Sequence, residues 1–515
     1  MTTAPDPVTA RQTGKGALYL AVALTAVVVY LGALRNGYAL DDVLIVAMNP
    51  LTHHLGGAWQ AFREPYWPAT FSAAMYRPLP IASFVLDLQL DHVAWLHTVN
   101  LLWHAGVSVL VAAVALRWTG STNGAWLAGL VFAVHPVHVE AVANLVGRAD
   151  LMATLFTVLA VYLALQYDRF WLSLDALALG LLSKENAAIA PVLIAWGWVA
   201  GIGRPTGRRR MWAYAGGWLA VGAAYAAVRW TVLHPYARLL HLAPVFVESG
   251  PGAVRLTAIA ALADVVRLLL FPVTLRVDYS PAERTLVNSP FDTRFLLGAG
   301  CLVAWGVLLW LAWRRRDRVA VFGLGWIAIA FLPVANLLFP TGVLIAERTL
   351  YLPSVGLALA VSAWLKHLAR RPLVALLIII VLAGGARTAL RVPVWRDTRS
   401  VTLSILDDSP DSYAGPAGMI GIYLSEGQPK RALEALQLST RVYDRVPTVY
   451  LEGAYAAFKL GRSQFADSLL DRLEQLCRRC LFYYQFEATT ARAWGDTAVA
   501  ESLLARMRRP GGGAP

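Results

Sequence analysis

The sequence predicts an all-α fold in two parts: a polytopic membrane bundle of about eleven transmembrane helices over residues 1–392, then an α-solenoid of helical repeats over 393–515. Three observations carry this. Of 515 residues, 57% are hydrophobic and 15% charged, against roughly 25% charged in soluble domains, and the mean hydropathy is +0.53. Residues 391–515 hold 30 Asp, Glu, Lys and Arg, 24% of that stretch, whereas the preceding 390 hold 47, or 12%. Within the charged tail Gly427, Gly461 and Gly495 recur every 34 residues. Together these exclude a plain soluble globular protein and a disordered chain, and 3 Cys are too few for a disulfide framework.

A helix satisfies its own amides and needs about 20 apolar residues to cross roughly 30 Å of hydrocarbon. Such stretches lie near 16–34, 95–116, 124–142, 150–167, 170–183, 186–201, 212–232, 294–313, 319–338, 350–366 and 372–390. The first is too long for a signal-peptide core and reads as an anchor. The net charge of +13 would suggest nucleic acid in a soluble protein. Here the excess sits in short clusters between apolar runs, which are topology signals, and no nucleic-acid partner is expected. Arg11 and Lys15, Arg204 with Arg208 to Arg210, Arg314 to Arg318, and Lys366 with Arg370 and Arg371 all stay cytoplasmic if the apolar helix near 254–272 does not cross. That helix is therefore expected to be interfacial or re-entrant. The N-terminus is then cytoplasmic and the tail extracytoplasmic, on the same side as the polar loops at 35–94, 135–150, 183–186, 234–293 and 338–350.

In the tail, Ala432, Ala466 and Ala500 share the 34-residue period, each followed four residues later by Leu436, Leu470 or Leu504. Gly at the turn between two helices, Ala where they touch and Leu on the second helix resemble the tetratricopeptide repeat, which stacks into a solenoid with a concave, polypeptide-binding face. Pro447 comes late for a closing proline, and the last repeat runs into Arg508 to Gly513, so three repeats are expected to lean on the membrane body. Cys477 and Cys480 form a lone CxxC, read as a disulfide or two thiols because no second pair completes a zinc site. Cys301 reads as a small buried apolar residue.

The chemistry-bearing residues lie in the loops. Asp41 and Asp42 follow the first span; adjacent carboxylates at a membrane boundary suit proton abstraction or a divalent cation, or simply cap a solvated loop. His135, His138 and Glu140 carry the atoms of a metal site, but Pro136 breaks the helix that would align the two imidazoles. Hydrogen bonding on the acceptor side is the competing reading. Asp42 and His138 are the candidate ligands if a divalent metal, Mg or Mn, is used. His53 and His54 are ambiguous in the same way. Arg77, ahead of Pro78 and Pro80, opens a helix along the membrane and either meets lipid phosphate or snorkels. His97, Asn100 and His104 share one face of the second span and read as interior hydrogen-bonding residues. Trp59 and Trp67 stand in the same first loop as Asp41.

Asp-Asp in the first external loop, YRPL at 76–79, HPVHVEAVANLVGRAD at 135–150, LSKEN at 182–186, VDYS at 277–280 and ERTLYLPS at 347–354, in that order and with the tail, resemble the transmembrane and tetratricopeptide-repeat-containing (TMTC-like) family. The resemblance implies a GT-C type glycosyltransferase fold. It also implies transfer of a sugar, mannose in the best-known members, from a polyprenyl-phosphate carrier to a Ser or Thr hydroxyl of a protein outside the cytoplasm. By position, Asp41 resembles the catalytic base, with Asp42 positioning it or holding a metal. Arg148 and Asp150 resemble residues near the lipid phosphate and sugar, joined by Arg77, Lys184, Glu347 and Arg348. His135, His138, Glu140 and Glu185 fall on the acceptor side or behind it. A lipid phosphate is already a competent leaving group, so such a site needs a base and positive charge rather than an acid.

The partners implied are a polyprenyl-phosphate-linked sugar, an acceptor polypeptide and the bilayer. The rival class is a noncatalytic membrane scaffold whose repeat tail binds polypeptide. Transport is weaker, since no matching pair of broken segments occurs in two halves. Richness in Ala and Arg favours a bacterial inner membrane; in a eukaryote the endoplasmic reticulum membrane would be expected.

Overall fold

The computed structural model describes residues 7–68, 75–90, 92–203, 207–236, 242–279, 281–477 and 481–508. Arg204, Ser280, Cys480 and the residues after Arg508 lie outside them. Every regular element among the described residues is helical.

The body runs through α1 (Pro7–Val28), the short α2 (Gly57–Gln60), α3 (Pro78–Leu88), α4 (Val93–Thr119), α5 (Thr122–Ala133), α6 (Val139–Ala143), α7 (Arg148–Tyr167), α8 (Phe170–Ser183), α9 (Ala190–Ala200) and α10 (Arg208–Leu233). It continues with α11 (Pro251–Leu270), α12 (Thr293–Arg314), α13 (Arg318–Phe331), α14 (Pro353–Leu365), α15 (Arg370–Ile379) and α16 (Gly385–Arg391). Helix occupies most of each of the eleven apolar stretches, with breaks such as those at 134–135 and 335–338. Among the described residues four segments are long and apolar enough to cross a membrane unaided: Val93–Thr119, Leu145–Tyr167, Thr293–Arg314 and Arg370–Trp395. α5 and the Pro136–Ala143 segment, bent by 46°, form either a broken span, which would be a fifth, or a re-entrant loop; Pro136 supplies no amide there and its ring blocks a continuous helix. Further apolar helices, the Lys15–Val28 part of α1 and α3, α8, α9, α13 and α14 among them, are shorter. The chain is a membrane protein. α11 is not among the spans; it carries Arg255, Asp264 and Arg267.

α4 and α7 lie inside the bundle, whereas α12 turns Leu296, Leu297, Val303 and Trp310 outward. Close helix contact is set by small residues. A Cβ on Gly356 of α14 would fall 2.4 Å from the Gly323 carbonyl oxygen of α13, and one on Gly323 2.5 Å from that of Gly356. Only glycine admits that approach. Cys301 is half-buried on α12, not fully buried as its size suggested.

The tail contains α17 (Thr398–Asp408), α18 (Ala414–Ser425), α19 (Pro429–Val442), α20 (Pro447–Lys459), α21 (Ser463–Leu476), α22 (Leu481–Ala493) and α23 (Thr497–Met507). Gly427, Gly461 and Gly495 stand in the three turns α18–α19, α20–α21 and α22–α23, with φ of 68°, 69° and 80°, a left-handed region that favours glycine. Ala432, Ala466 and Ala500 are fully buried on the helix after each turn.

The tail is docked on the body. Gly37 N–H donates to the Arg396 carbonyl at 2.7 Å, and Leu40 N–H to Thr398 Oγ1 at 3.0 Å. Ser409 Oγ donates to the Asp278 carbonyl at 2.8 Å and Ser412 Oγ to the Asp278 carboxylate. Arg391, buried at the end of α16, pairs with Asp408 and with Ser404 Oγ.

Candidate active site

Asp41 and Asp42 begin one helical turn, where consecutive side chains diverge by about 100°. Asp42 points inward and is fully buried. Its carboxylate accepts N–H groups from Val146 at 2.8 Å, Ala39 at 3.2 Å and Leu145 at 3.3 Å, tying the first loop to the turn before α7. Burial pushes its carboxyl up to about 7, with the charge of Asp41 adding to the rise against those three amides. Asp41 points instead into a cavity of about 260 Å³. Among the described residues no group hydrogen-bonds its carboxylate. Burial raises its carboxyl above the usual range, while Arg348 and Arg77 pull it back.

The polar side of this cavity is formed by Asp41, Glu140, Asn144, Asp278 and Arg348. Arg348 N–H donates to Glu140 Oε2 at 2.8 Å, and its Nε stands 3.5 Å from Oε1. Beyond that ion pair, the guanidinium makes no hydrogen bond among the described residues. It is a cation at the cavity with donors to spare.

Two tighter pairs stand behind it. Arg77 grips Glu185 with Nη2 at 2.6 Å and Nε at 3.0 Å, and lies over the Tyr66 ring. Lys184 Nζ reaches both Asp150 oxygens at 2.7 Å. Arg77 acts electrostatically on Asp41, and Asp150 on Arg348. Residues 41, 77, 140, 150, 184, 185 and 348 thus form one charged constellation.

Arg148 is placed otherwise. Its side chain is fully buried, with Nε on Asn100 Oδ1 at 2.8 Å, Nη1 on Ser83 Oγ at 3.0 Å and paired with Asp87, and Nη2 on the Leu96 carbonyl at 2.8 Å. Phe84 covers its face. Four of its five guanidinium N–H donors are thus taken, and Arg148 is not among the residues lining this cavity. Glu347 also turns away: buried, it accepts Arg276 N–H at 2.6 Å and Tyr279 OH at 3.1 Å. Burial pushes its carboxyl up to about 8 although Arg391 opposes the rise.

His135 and His138 are buried and hydrogen-bonded through Nε2. His135 Nδ1 accepts Val137 N–H at 3.3 Å, so its Nε2–H donates to the Leu269 carbonyl at 3.0 Å. Ser354 Oγ donates to the Tyr351 carbonyl, so His138 Nε2–H donates to Ser354 Oγ at 2.7 Å. Neither Nε2 lone pair is then open to a metal. Among the described residues no group of three or more His, Cys, Asp or Glu is arranged to hold one, and Asp42 and His138 are not brought together. On α4, His97 meets the Gly37 carbonyl, His104 meets Tyr351 OH and the Ala133 carbonyl, and Asn100 meets the carbonyls of the 142–145 turn. This is the interior face expected of them. Trp59 is exposed, and Trp67 packs beside the first loop.

Among the cavity residues not singled out from sequence are Asn144, Asp278, Trp395 and Tyr413. Asn144 and Asp278 stood unassigned inside the strings quoted above. Trp395 and Tyr413 come from the edge of the tail and carry no local signal, since only docking brings them near Asp41. Asp87, the partner of Arg148, was likewise invisible.

A human protein named protein O-mannosyl-transferase TMTC4 is 29% identical over 472 residues, covering 76% of this chain and 62% of the relative. A Caenorhabditis elegans protein O-mannosyl-transferase is 27% identical, covering 67% and 50%. Human protein O-mannosyl-transferase TMTC1 is 25% identical, covering 80% and 54%. The chain spans about half to three-fifths of the length of these curated relatives. No family model matches the chain, and no solved structure matches it. The order of loop motifs and this similarity over most of its length support the resemblance of the chain to the TMTC-like family.

Proposed function

We propose that the chain is a GT-C type membrane glycosyltransferase that moves a sugar, mannose favoured by the relatives' names, from a polyprenyl-phosphate carrier to a Ser or Thr hydroxyl of a polypeptide on the extracytoplasmic side. The observation that carries the reading is one cavity lined by Asp41, a carboxylate without hydrogen-bond partners among the described residues, and Arg348, a cation with spare donors among them. Asp41 takes the proton of the acceptor hydroxyl as its oxygen bonds to C1 of the sugar. The C1–O bond to phosphate breaks, and polyprenyl phosphate leaves with that electron pair, its charge met by Arg348. Asp42 fixes the turn that presents Asp41. Lys184 and Arg77, each already paired, add positive potential while Asp150 and Glu185 orient them.

In this reading eleven helices cross the membrane, the N-terminus is cytoplasmic, and the tail is a tetratricopeptide-repeat solenoid that presents the acceptor. The test is transfer from polyprenyl-phosphate mannose to a Ser/Thr peptide by purified protein, followed by mass spectrometry. Product that disappears in Asp41→Asn, with folding intact, supports the reading. Wild type that makes no product while the tail still binds polypeptide leaves the scaffold, and equal activity in Asp41→Asn removes the base.

A further inference from the structure

The cavity that holds Asp41 and Arg348 is lined in part by residues at and beyond the end of the membrane body. Trp395 ends the Arg370–Trp395 segment at the junction with the tail, and Tyr413 sits in the tail just ahead of α18. Tyr413 is brought there by the docking of the tail. Ser409 and Ser412 clasp Asp278, and Tyr413 is backed by the Tyr443 ring at 5.3 Å. Asp278 also lines the cavity, so one residue of the body both anchors the tail and faces the space beside Tyr413.

The chemistry of these walls selects an occupant. Three carboxylates, Asp41, Glu140 and Asp278, face one guanidinium, Arg348. Away from Arg348 the cavity therefore repels phosphate oxygens and favours a neutral group rich in hydroxyl donors. Aromatic rings offer flat apolar surface to aliphatic C–H groups. A pyranose has both properties, with a rim of hydroxyls around apolar C–H faces, and a volume of about 260 Å³ is on the scale of one monosaccharide.

We infer that Tyr413, carried by the edge of the tail, forms with Trp395 at the junction and with Asp278 and Asn144 the sugar-binding wall of the cavity, so that the tail takes part in setting the preference for the monosaccharide on the donor lipid. This rests on the proposed glycosyltransferase reading. It goes beyond that reading by giving the tail a part in donor recognition.

The experiment measures binding of polyprenyl-phosphate mannose and of bare polyprenyl phosphate to the full-length protein in lipid nanodiscs. Tyr413→Ala is expected to weaken the sugar-bearing lipid about tenfold, a loss of 1.4 kcal/mol, and to leave the bare lipid's affinity unchanged, which also reports that the variant is folded. Tyr413→Phe keeps the ring and should bind both lipids as wild type does. Tyr413→Leu keeps apolar bulk without the ring and should behave as Tyr413→Ala, which covers the case in which the alanine variant is unstable. Equal affinities of wild type and both ring-less variants for the sugar-bearing lipid overturn the subsite while leaving the transferase reading intact. A rise in acceptor-peptide KM with the lipid preference unchanged overturns it too, assigning the wall to the acceptor. Failure of wild type to bind either lipid overturns the transferase reading and the subsite together.

Discussion

Asp41 and Asp42 are neighbours of one residue type, and their surroundings divide them. Asp42 spends its oxygens on three buried amides, while Asp41 faces the cavity. Asp41→Asn is expected to lower transfer by about 10²- to 10⁴-fold with little change in melting temperature. Asp42→Ala orphans buried N–H groups and should cost about 1–3 kcal/mol of stability, read as a lower thermal midpoint. Because burial lifts the Asp41 carboxyl, kcat/KM should rise with pH through an ionisation above the usual carboxylate range, and Asp41→Asn should abolish that limb. Glu347 has the opposite consequence for stability. Its folded form titrates at about 8 against about 4.3 unfolded, so the folded chain binds its proton more tightly. The stabilisation is complete below about pH 4 and is lost as pH rises through about 8; Glu347→Gln should flatten that decline in melting temperature.

Among the elements, α4 and α7 are joined by a polar core. Removing Asp87 leaves Arg148 charged and buried with its ion pair gone, and a broken buried pair costs about 3–5 kcal/mol. Asp87→Ala should therefore destabilise strongly in a thermal melt without altering which lipid is used, since Arg148 touches no cavity residue other than through Asn100. Glycine acts in two ways. Gly356→Ala drives a methyl into the Gly323 carbonyl and should separate α13 from α14. Gly461→Ala meets open space and bears only the left-handed backbone cost of about 1–2 kcal/mol. A thermal melt that ranks Gly461→Ala as the worse of the two would contradict this packing account.

For the whole molecule, body and tail share a wall. Asp278→Ala removes the acceptor of Ser412 Oγ, and the segment around 397–413 should then be cut faster in limited proteolysis than in wild type, with cleavage elsewhere unchanged. Much of the architecture was legible because its causes are local. Apolar length marks helix, and the 34-residue glycine period marks turns that need positive φ. Asp41, Glu140 and Arg348 draw attention in the sequence because acid and base in a lipid-bounded chain stand out against their surroundings. Arg148 draws it for the same reason, since an exceptional charge looks equally functional whether it faces a cavity or a buried Asp87.

The sequence by itself determined the helical class, the division between apolar body and charged tail, the spacing of the repeat turns and the stock of loop charges, all set by composition and short-range periodicity. Tertiary structure alone decided which charges were already consumed by partners and which remained open. It also decided that Trp395 and Tyr413 would stand beside Asp41. Those outcomes depend on contacts between segments hundreds of residues apart, where hydrogen-bond donors are shared out only once the helices have packed.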